Sequence, residues 1–157
     1  MTTTTTAAEN IRHAGPSIMI IDPDHRVRSA LRRLLEASHS NASIVETGNA
    51  AAALAESRSR SFDLILVDTL LPDLRGSCEL IRHISDQLTT AVIALGVRQD
   101  DAAGAVSAGA HAFIRKTASS EQLLSAVRAA SATRPFDTSH QSDSSAGPHG
   151  NDDWSTS

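Results

Sequence analysis

Three charged residues stand where apolar runs of the sequence end, and their types suit phosphoryl chemistry. Asp22 and Asp68 each directly follow a run of four apolar residues, and Lys116, the only lysine of the chain, follows a shorter run. Two neighbouring carboxylates repel each other unless a lysine or a hard divalent cation compensates their charge. Phosphoryl transfer depends mainly on positioning and charge neutralisation, and an aspartate can itself accept the phosphoryl group. The three residues are therefore candidates for one phosphoryl-transfer site.

The segment around Asp68 predicts how that acid is presented. Residues 64–67 show no polar alternation, which is typical of a strand covered on both faces in a parallel sheet. Ligands of such sheets bind at the carboxyl ends of the strands, which is where Asp68 would lie. Leu71-Pro72 and Gly76 predict that a fixed, exposed loop follows the strand, rather than an immediate helix.

Five predicted strands alternate with five predicted helices along the chain. The strands are at 18–21, 43–47, 62–68, 91–95 and 112–114. The first helix starts at Pro23, the second spans 49–58, and the third carries Leu80, Ile81 and Ile84. The fourth spans 101–107, and the fifth opens with a capping box from Ser119 to Gln122. This alternation predicts an α/β fold of the flavodoxin-like (βα)5 type, a doubly wound parallel sheet with strand order 2-1-3-4-5. In that order the first and third strands are neighbours, so Asp22 and Asp68 would face one crevice.

Composition predicts one domain between two disordered flanks. The 157 residues suit a single domain. Residues 1–16 are rich in threonine and alanine and predict a disordered leader, and 134–157 predict a disordered acidic and polar tail, which leaves 17–133 as the domain. Four aspartates against Arg134 give the tail a charge of −3 of the total of −4, which leaves −1 for the rest. A nearly neutral domain argues against nucleic acid as the main partner.

The sequence also predicts a cytoplasmic protein that does not associate with membranes. The first residues have neither the basic region nor the apolar core of a secretion signal, and no apolar run approaches membrane-spanning length. Cys78 is the only cysteine, so an intramolecular disulfide is impossible, and we expect it to be a small core residue.

Taken together, these residues resemble the receiver domain of two-component response regulators, over roughly 17–133. The resemblance rests on the segments IMIIDPD, LILVDTLLPDLRG, SAGAHAFIRK and ASSEQLLSAVRAA. The last of these is most similar to receivers that precede a helix-turn-helix output. The resemblance implies that Asp68 accepts a phosphoryl group from a histidine kinase or phosphotransfer protein, with Lys116 beside it. It also implies Mg²⁺ held by an acidic pair and by the backbone carbonyl of Leu70.

The resemblance further implies a single-domain regulator rather than an enzyme, one that signals by contact with a downstream protein target. We expect no direct DNA binding, because the residues from 134 to 157 are mostly polar and too few for a helix-turn-helix. A homodimer is compatible with this interpretation.

The chain departs from the family at the acidic pair. Where receivers usually have two adjacent acids, this chain has Asp22-Pro23, with Asp24 one place further on. Proline has no side-chain oxygen, so Mg²⁺ would be held by Asp68, the Leu70 carbonyl, water molecules and Asp22 through water, and we expect weak affinity. Asp24 could rescue the site, although an N-cap of the first helix is the interpretation we prefer.

A second departure concerns the switch residues. Gly96 occupies the place of the serine or threonine whose hydroxyl bonds a phosphoryl oxygen in the family, so that hydrogen bond is lost. Phe113 occupies the place of the switch aromatic but has no hydroxyl. Thr117 replaces the proline that often follows the lysine.

Two other functions stay open at the sequence level. The first is a receiver that no longer takes phosphate and acts through fixed contacts of its fourth and fifth helices. The second is a phosphatase similar to the haloacid dehalogenases, with Asp22 as nucleophile and Asp24 as general acid, although the further acidic metal site of that family is missing after Lys116. Trp154, alone in the tail, is a candidate docking residue.

Overall fold

The computed structural model describes residues 15–132 as one sheet between two layers of helices. The predicted tail, with Trp154, and most of the predicted leader lie outside the described residues. Pro16 is described, and its carbonyl accepts a hydrogen bond of 2.9 Å from the Ser43 N–H. Pro16, which the sequence assigned to the leader, is thus attached to the sheet.

Five strands and five helices alternate strictly along the described chain. The strands are β1 (Ser17–Ile21), β2 (Ser43–Thr47), β3 (Leu64–Asp68), β4 (Ala91–Gly96) and β5 (Ala112–Arg115). The helices are α1 (His25–Ser38), α2 (Ala50–Ser59), α3 (Leu74–Gln87), α4 (Asp101–Ala108) and α5 (Ser120–Ala132). All neighbouring strands are parallel, and their order is β2-β1-β3-β4-β5. The predicted flavodoxin-like fold is confirmed.

Both faces of the sheet are covered, which explains why the central strands are apolar throughout. Ile18 and Ile20 of β1 pack into a cluster on the face covered by α1 and α5, the α1–α5 core. Met19 and Ile21 pack on the opposite face, against α2, α3 and α4, in the α2–α4 core. Successive side chains of a strand point to opposite faces, so a strand buried on both sides needs apolar residues at every position.

The helices bury the faces that their sequences predicted. Leu80, Ile81 and Ile84 of α3 are buried in the α2–α4 core. Leu123 and Val127 of α5 are buried in the α1–α5 core. Cys78 packs partly buried against the α2–α4 core, as expected of a small core residue.

Two predicted helix starts, those of α5 and α1, differ in how well they agree with the structure. The capping box of α5 is present, because the Gln122 N–H donates to Ser119 Oγ at 3.2 Å and the Ser119 N–H donates to Gln122 Oε1 at 3.1 Å. The prediction that α1 starts at Pro23 was wrong by a short distance: α1 begins at His25, and Asp24 is its N-cap.

A loop of residues 69–73 separates β3 from α3, as predicted, but the prediction that Gly76 belongs to this loop was wrong. Gly76 lies in the first turn of α3, where its N–H donates to the N-cap Asp73 at 2.7 Å. A Cβ atom at this position would lie 2.9 Å from the Leu71 carbonyl oxygen. Glycine is therefore needed for the close approach of the loop to the helix, and not for an open turn.

No helix in the described part of the chain is both long and apolar enough to cross a lipid bilayer.

Candidate functional site

Asp22, Asp68 and Lys116 meet at the carboxyl edge of the sheet. Asp68 ends β3, Asp22 directly follows β1, and Lys116 directly follows β5. The Lys116 ammonium lies 2.7 Å from Asp22 Oδ2 and 3.3 Å from Asp68 Oδ1. Asp22 is 1% exposed and Asp68 is 5% exposed. The structure thus brings the three predicted residues into one buried charged cluster.

The cluster holds two carboxylates against one ammonium, and its pKa values reflect this imbalance. Burial raises the pKa of the Asp68 carboxyl above its ordinary value, the charge of Asp22 raises it further, and Lys116 offsets only part of the rise. Burial alone would lower the pKa of Lys116, but its hydrogen bond to Asp22 and the charges of both carboxylates raise it overall. Lys116 is therefore a firmly protonated cation beside an acid that is costly to ionise.

Ser77 fixes the loop that follows Asp68. Its hydroxyl donates to the Asp68 carbonyl at 2.8 Å and accepts from the Leu71 N–H at 2.8 Å, and the side chain is buried. The backbone N–H of Leu70 donates to the Asp68 carboxylate. α3 therefore holds the backbone at Leu70, whose carbonyl the family resemblance names as a metal ligand.

Asp24 and Arg28 fix the loop between β1 and α1. The exposed side chain of Asp24 accepts a hydrogen bond of 2.8 Å from the Arg26 N–H. The backbone N–H of Asp24 donates to Asp22 Oδ1, also at 2.8 Å. The Arg28 guanidinium donates to the Asp22 carbonyl at 2.6 Å and lies 3.5 Å from the Glu46 carboxylate. Asp24 thus acts as the N-cap that the sequence favoured, and Arg28 adds a permanent positive charge behind Asp22.

Gly96 and Phe113 lie together beside Thr69. A Cβ atom at Gly96 would lie 2.5 Å from Thr69 Oγ1 and 2.7 Å from Phe113 Cε2. Both distances are well below ordinary van der Waals contact. The place that the family resemblance assigns to a hydroxyl side chain is therefore filled here by the neighbouring threonine and phenylalanine.

The oxygen donors at the site suit a magnesium ion, but the protein would supply only a few of its ligands and water would supply the rest. Asp22 Oδ2 and Asp68 Oδ1 face Lys116, Pro23 offers no side-chain oxygen, and Asp24 caps α1. Within residues 15–132, no group of three or more His, Cys, Asp or Glu side chains is arranged to hold a metal ion. By the family resemblance, Asp68 and the Leu70 carbonyl would be direct donors and Asp22 a donor through water, a set that suits Mg²⁺ because that ion retains several water ligands.

Comparison with known proteins identifies the family. The model of the response regulator receiver domain matches residues 18–128, which include all five strands except Ser17 and most of α5. The chain belongs to the response regulator receiver family. Receivers are generally non-enzymatic proteins of phosphorelay signalling, they interact with histidine kinases or phosphotransfer proteins, and they typically bind Mg²⁺ at the phosphorylation site.

Curated relatives of this receiver are transcriptional regulators and response regulators. The transcriptional regulatory protein ResD of Bacillus subtilis is 31% identical over 114 residues, which are 71% of this chain and 46% of ResD. The response regulator ArlR of Staphylococcus epidermidis is 26% identical over 121 residues, 76% of this chain and 54% of ArlR. The chain therefore spans about half the length of these relatives.

Solved structures agree with the fold. A response regulator from Thermotoga maritima is 27% identical with a TM-score of 0.65, and the match covers 75% of this chain and 98% of that one. A LuxR-family response regulator from Aurantimonas is 28% identical with a TM-score of 0.68, covering 77% of this chain and 87% of that one.

Four residues that support the site were missed from the sequence. They act through hydrogen bonds near Asp22 and Asp68, and these residues are Arg28, Thr69, Ser77 and Asp101. Ser77 could have been suspected, because it is a polar residue on the otherwise apolar face of α3. The other three carry no local pattern that separates them from surface or capping residues.

Proposed function

We propose that this receiver accepts a phosphoryl group on Asp68 from a histidine kinase or phosphotransfer protein and signals by contact with a downstream protein. The observation that supports it most is the Lys116 ammonium between the carboxylates of Asp22 and Asp68. A carboxylate oxygen of Asp68 can then attack the phosphorus of the donor while the donor's nitrogen leaves, and the lysine stays within reach of the transferred oxygens.

Charge balance explains why a divalent cation would assist. The two carboxylates and the ammonium sum to −1, and an incoming phosphoryl group adds further negative charge. When bound, Mg²⁺ would neutralise charge on the phosphoryl oxygens. Asp68, the Leu70 carbonyl and water would hold it, with Asp22 as a ligand through water, so we expect weaker affinity than in receivers with two adjacent acids.

Intact mass spectrometry tests the proposal directly. The full chain is incubated with acetyl phosphate and Mg²⁺, and one phosphoryl adduct is expected, which is absent in Asp68→Asn. Asp73→Asn is the matched control: it neutralises a neighbouring acid but keeps the N-cap of α3, since asparagine caps as well as aspartate. The control should retain the adduct.

If neither acetyl phosphate nor a panel of histidine kinases gives an adduct that depends on Asp68, the phosphoacceptor proposal is wrong. An adduct of equal yield in Asp68→Asn would place the phosphoryl group on another residue, and would also contradict it.

The second candidate is a receiver that works without phosphate. It is favoured by Pro23 at the place of a metal ligand and by the space at Gly96 that Thr69 and Phe113 already fill. This candidate predicts that partner binding is the same for the wild type and for Asp68→Asn, whether or not a phosphoryl donor is present.

The phosphatase alternative has little support in the geometry. Its general acid would be Asp24, whose carboxylate accepts from the Arg26 N–H, and its nucleophile would be Asp22, which is bound to Lys116. That alternative would require a phosphate ester to be hydrolysed by the wild type and by Asp68→Asn, but not by Asp22→Asn.

A further inference from the structure

The corner between the end of β4 and the loop after β3 holds the hydroxyl of Thr69, instead of a hydroxyl from position 96. Thr69 follows Asp68 directly and is 0% exposed. Its Oγ1 atom lies 2.5 Å from the point where the Cβ of a residue at Gly96 would stand. A serine or threonine at 96 could not be accommodated without moving Thr69 and Phe113. The hydroxyl at this corner therefore belongs to Thr69.

Thr69 also connects the site to α4. Its N–H donates to the Leu95 carbonyl at 2.8 Å, which fixes its backbone against β4. Its hydroxyl donates to Asp101 Oδ2 at 3.5 Å, across 32 positions of sequence. Asp101 begins α4 and is 6% exposed. A hydrogen bond of this length is weak and easily exchanged, but its loss leaves a buried carboxylate short of a partner.

The start of α4 depends on few other capping contacts. The preceding residue, Asp100, makes no side-chain capping hydrogen bond. Two backbone bonds hold the turn: the Asp101 N–H donates to the Arg98 carbonyl at 3.2 Å, and the Ala102 N–H donates to the Gln99 carbonyl at 3.1 Å. The helix is short, from Asp101 to Ala108, and a short helix with a weak cap loosens at its first turn. The bond between Thr69 and Asp101 is thus placed to decide how well that turn is held.

We propose that Thr69 is the positioning residue through which phosphorylation of Asp68 changes α4. This inference rests on the proposed function, since the signal is the phosphoryl group. Thr69 directly follows Asp68, and its Oγ1 lies at the corner where a side chain at 96 would stand, so phosphoryl oxygens on Asp68 would offer this hydroxyl charged acceptors stronger than the Asp101 carboxylate at 3.5 Å. The hydroxyl changes partner, Asp101 loses its bond to Thr69, and the first turn of α4 loosens. In this chain Thr69 thereby supplies the hydroxyl for the phosphoryl group that Gly96, without a side chain, cannot supply.

Amide hydrogen exchange of the full chain tests the inference, read at residues 101–108 with and without acetyl phosphate and Mg²⁺. Intact mass gives the adduct yield in the same samples. Phosphorylation of the wild type should speed exchange there about two- to threefold, the effect expected when one weak hydrogen bond is lost. Thr69→Val should show fast exchange already without phosphate and no further response. Thr69→Ser keeps the hydroxyl and should restore the response.

Thr90→Val is the matched control. Thr90 is also a buried threonine, and its hydroxyl donates to the Phe62 carbonyl at 2.9 Å. It directly precedes β4, at the edge of the sheet opposite to Asp68. This variant should lose stability but keep the response of α4 to phosphorylation, so a general loss of stability cannot imitate the predicted result.

The possible failures are distinguishable. If the wild type takes no adduct on Asp68, the proposed function is wrong, and the inference fails with it. If the adduct forms but exchange in α4 does not change, or changes equally in the wild type and Thr69→Val, only the inference about Thr69 is wrong.

Discussion

At the scale of single residues, the charged cluster carries a cost that its function explains. Asp68 is buried beside a second carboxylate, and one ammonium serves both. A residue selected only for stability would not be an acid here, because an ionised group loses favourable hydration when it is buried. On the proposed function, this cost is the expected consequence of keeping a nucleophilic carboxylate beside the lysine that would contact the transferred phosphoryl group.

We predict that Asp68→Asn raises the free energy of unfolding at neutral pH. The pKa of Asp68 is raised in the folded protein, mainly by burial, so the folded state binds its proton more tightly than the unfolded state does. Its stabilising contribution is therefore full below the unfolded pKa and is lost as pH rises through the folded pKa. The advantage of asparagine should be largest at pH 7 and should vanish towards pH 3.

Urea unfolding at pH 7, 5 and 3 measures this difference. Asp24→Asn is a suitable control, since it changes an exposed acid while keeping the cap of α1, and no such gain is expected. A loss of stability in Asp68→Asn at pH 7 would mean that Lys116 compensates Asp68 fully.

We predict that Gly96→Ala lowers the free energy of unfolding by about 1 to 3 kcal/mol, because the added methyl group would overlap Thr69 Oγ1 and the Phe113 ring. Combining it with Thr69→Ala should recover part of the loss. Gly104→Ala is the control: its Cβ would lie 3.6 Å from Cys78 Sγ, an ordinary contact, so it should be neutral or stabilising. Thermal unfolding of the four proteins measures these effects, and equal losses at Gly96 and Gly104 would contradict the crowding argument.

At the scale of elements, the site depends on how two helices begin. α1 starts with the cap Asp24 and binds the Asp22 carbonyl through Arg28, one turn later. α3 starts with the cap Asp73 and binds the Asp68 carbonyl through Ser77. In both cases a side chain near the start of the helix donates a hydrogen bond to the backbone carbonyl of the aspartate at the end of the preceding strand. The helices therefore position the acids as well as covering the sheet.

We predict that Asp24→Ser leaves both stability and magnesium dependence unchanged. Serine keeps the capping hydrogen bond to the Arg26 N–H but removes the carboxylate, whereas Asp24→Ala should cost about 1 kcal/mol. The measurement is the Mg²⁺ concentration that gives half of the maximal adduct yield, together with urea midpoints. A clear rise of that concentration in Asp24→Ser would show that Asp24 serves as a metal ligand.

Elements differ in how far the sequence predicts them. The buried runs before Asp22 and Asp68 predict their strands well, because only a strand covered on both sides needs so many consecutive apolar residues. Gly76 misled the prediction, since glycine is common in turns and its actual reason, the nearby Leu71 carbonyl, is a contact that exists only in the folded chain. The same is true of Thr69 and Asp101, which lie 32 positions apart and are joined only after the fold has formed.

At the scale of the whole molecule, the sheet separates two apolar cores that carry different parts of the site. The α1–α5 core lies beneath the helix that holds Asp22, and the α2–α4 core lies beneath the helix that holds the loop of Leu70. The central strands β1, β3 and β4 contribute to both. A loss of packing on either face therefore lowers the stability of the same cooperative unit.

We predict that Ile18→Val and Ile84→Val are additive. Each removes one buried methylene group, from opposite cores, and should cost about 0.5 to 1.5 kcal/mol. The double variant should lose the sum within about 0.5 kcal/mol, because the two residues share no cluster. Val106→Ala, at a half-exposed position of α4, should change stability by no more than about 0.5 kcal/mol. Urea unfolding measures all four, and strong coupling in the double variant would show that the cores are not independent.

The bond between Lys116 and Asp22 spans 94 positions and connects the first strand of the described chain with the last. During synthesis, Asp22 and Asp68 leave the ribosome well before Lys116 does. Until β5 has been made and has paired with β4, the two acids have no cation between them. A ribosome-bound chain that ends before residue 116 should therefore be a poor substrate for a phosphoryl donor, even when its first three strands have formed. On the proposed function, readiness for the signal would thus arrive only with the last strand of the described chain, and chains that end before it would stay out of the relay.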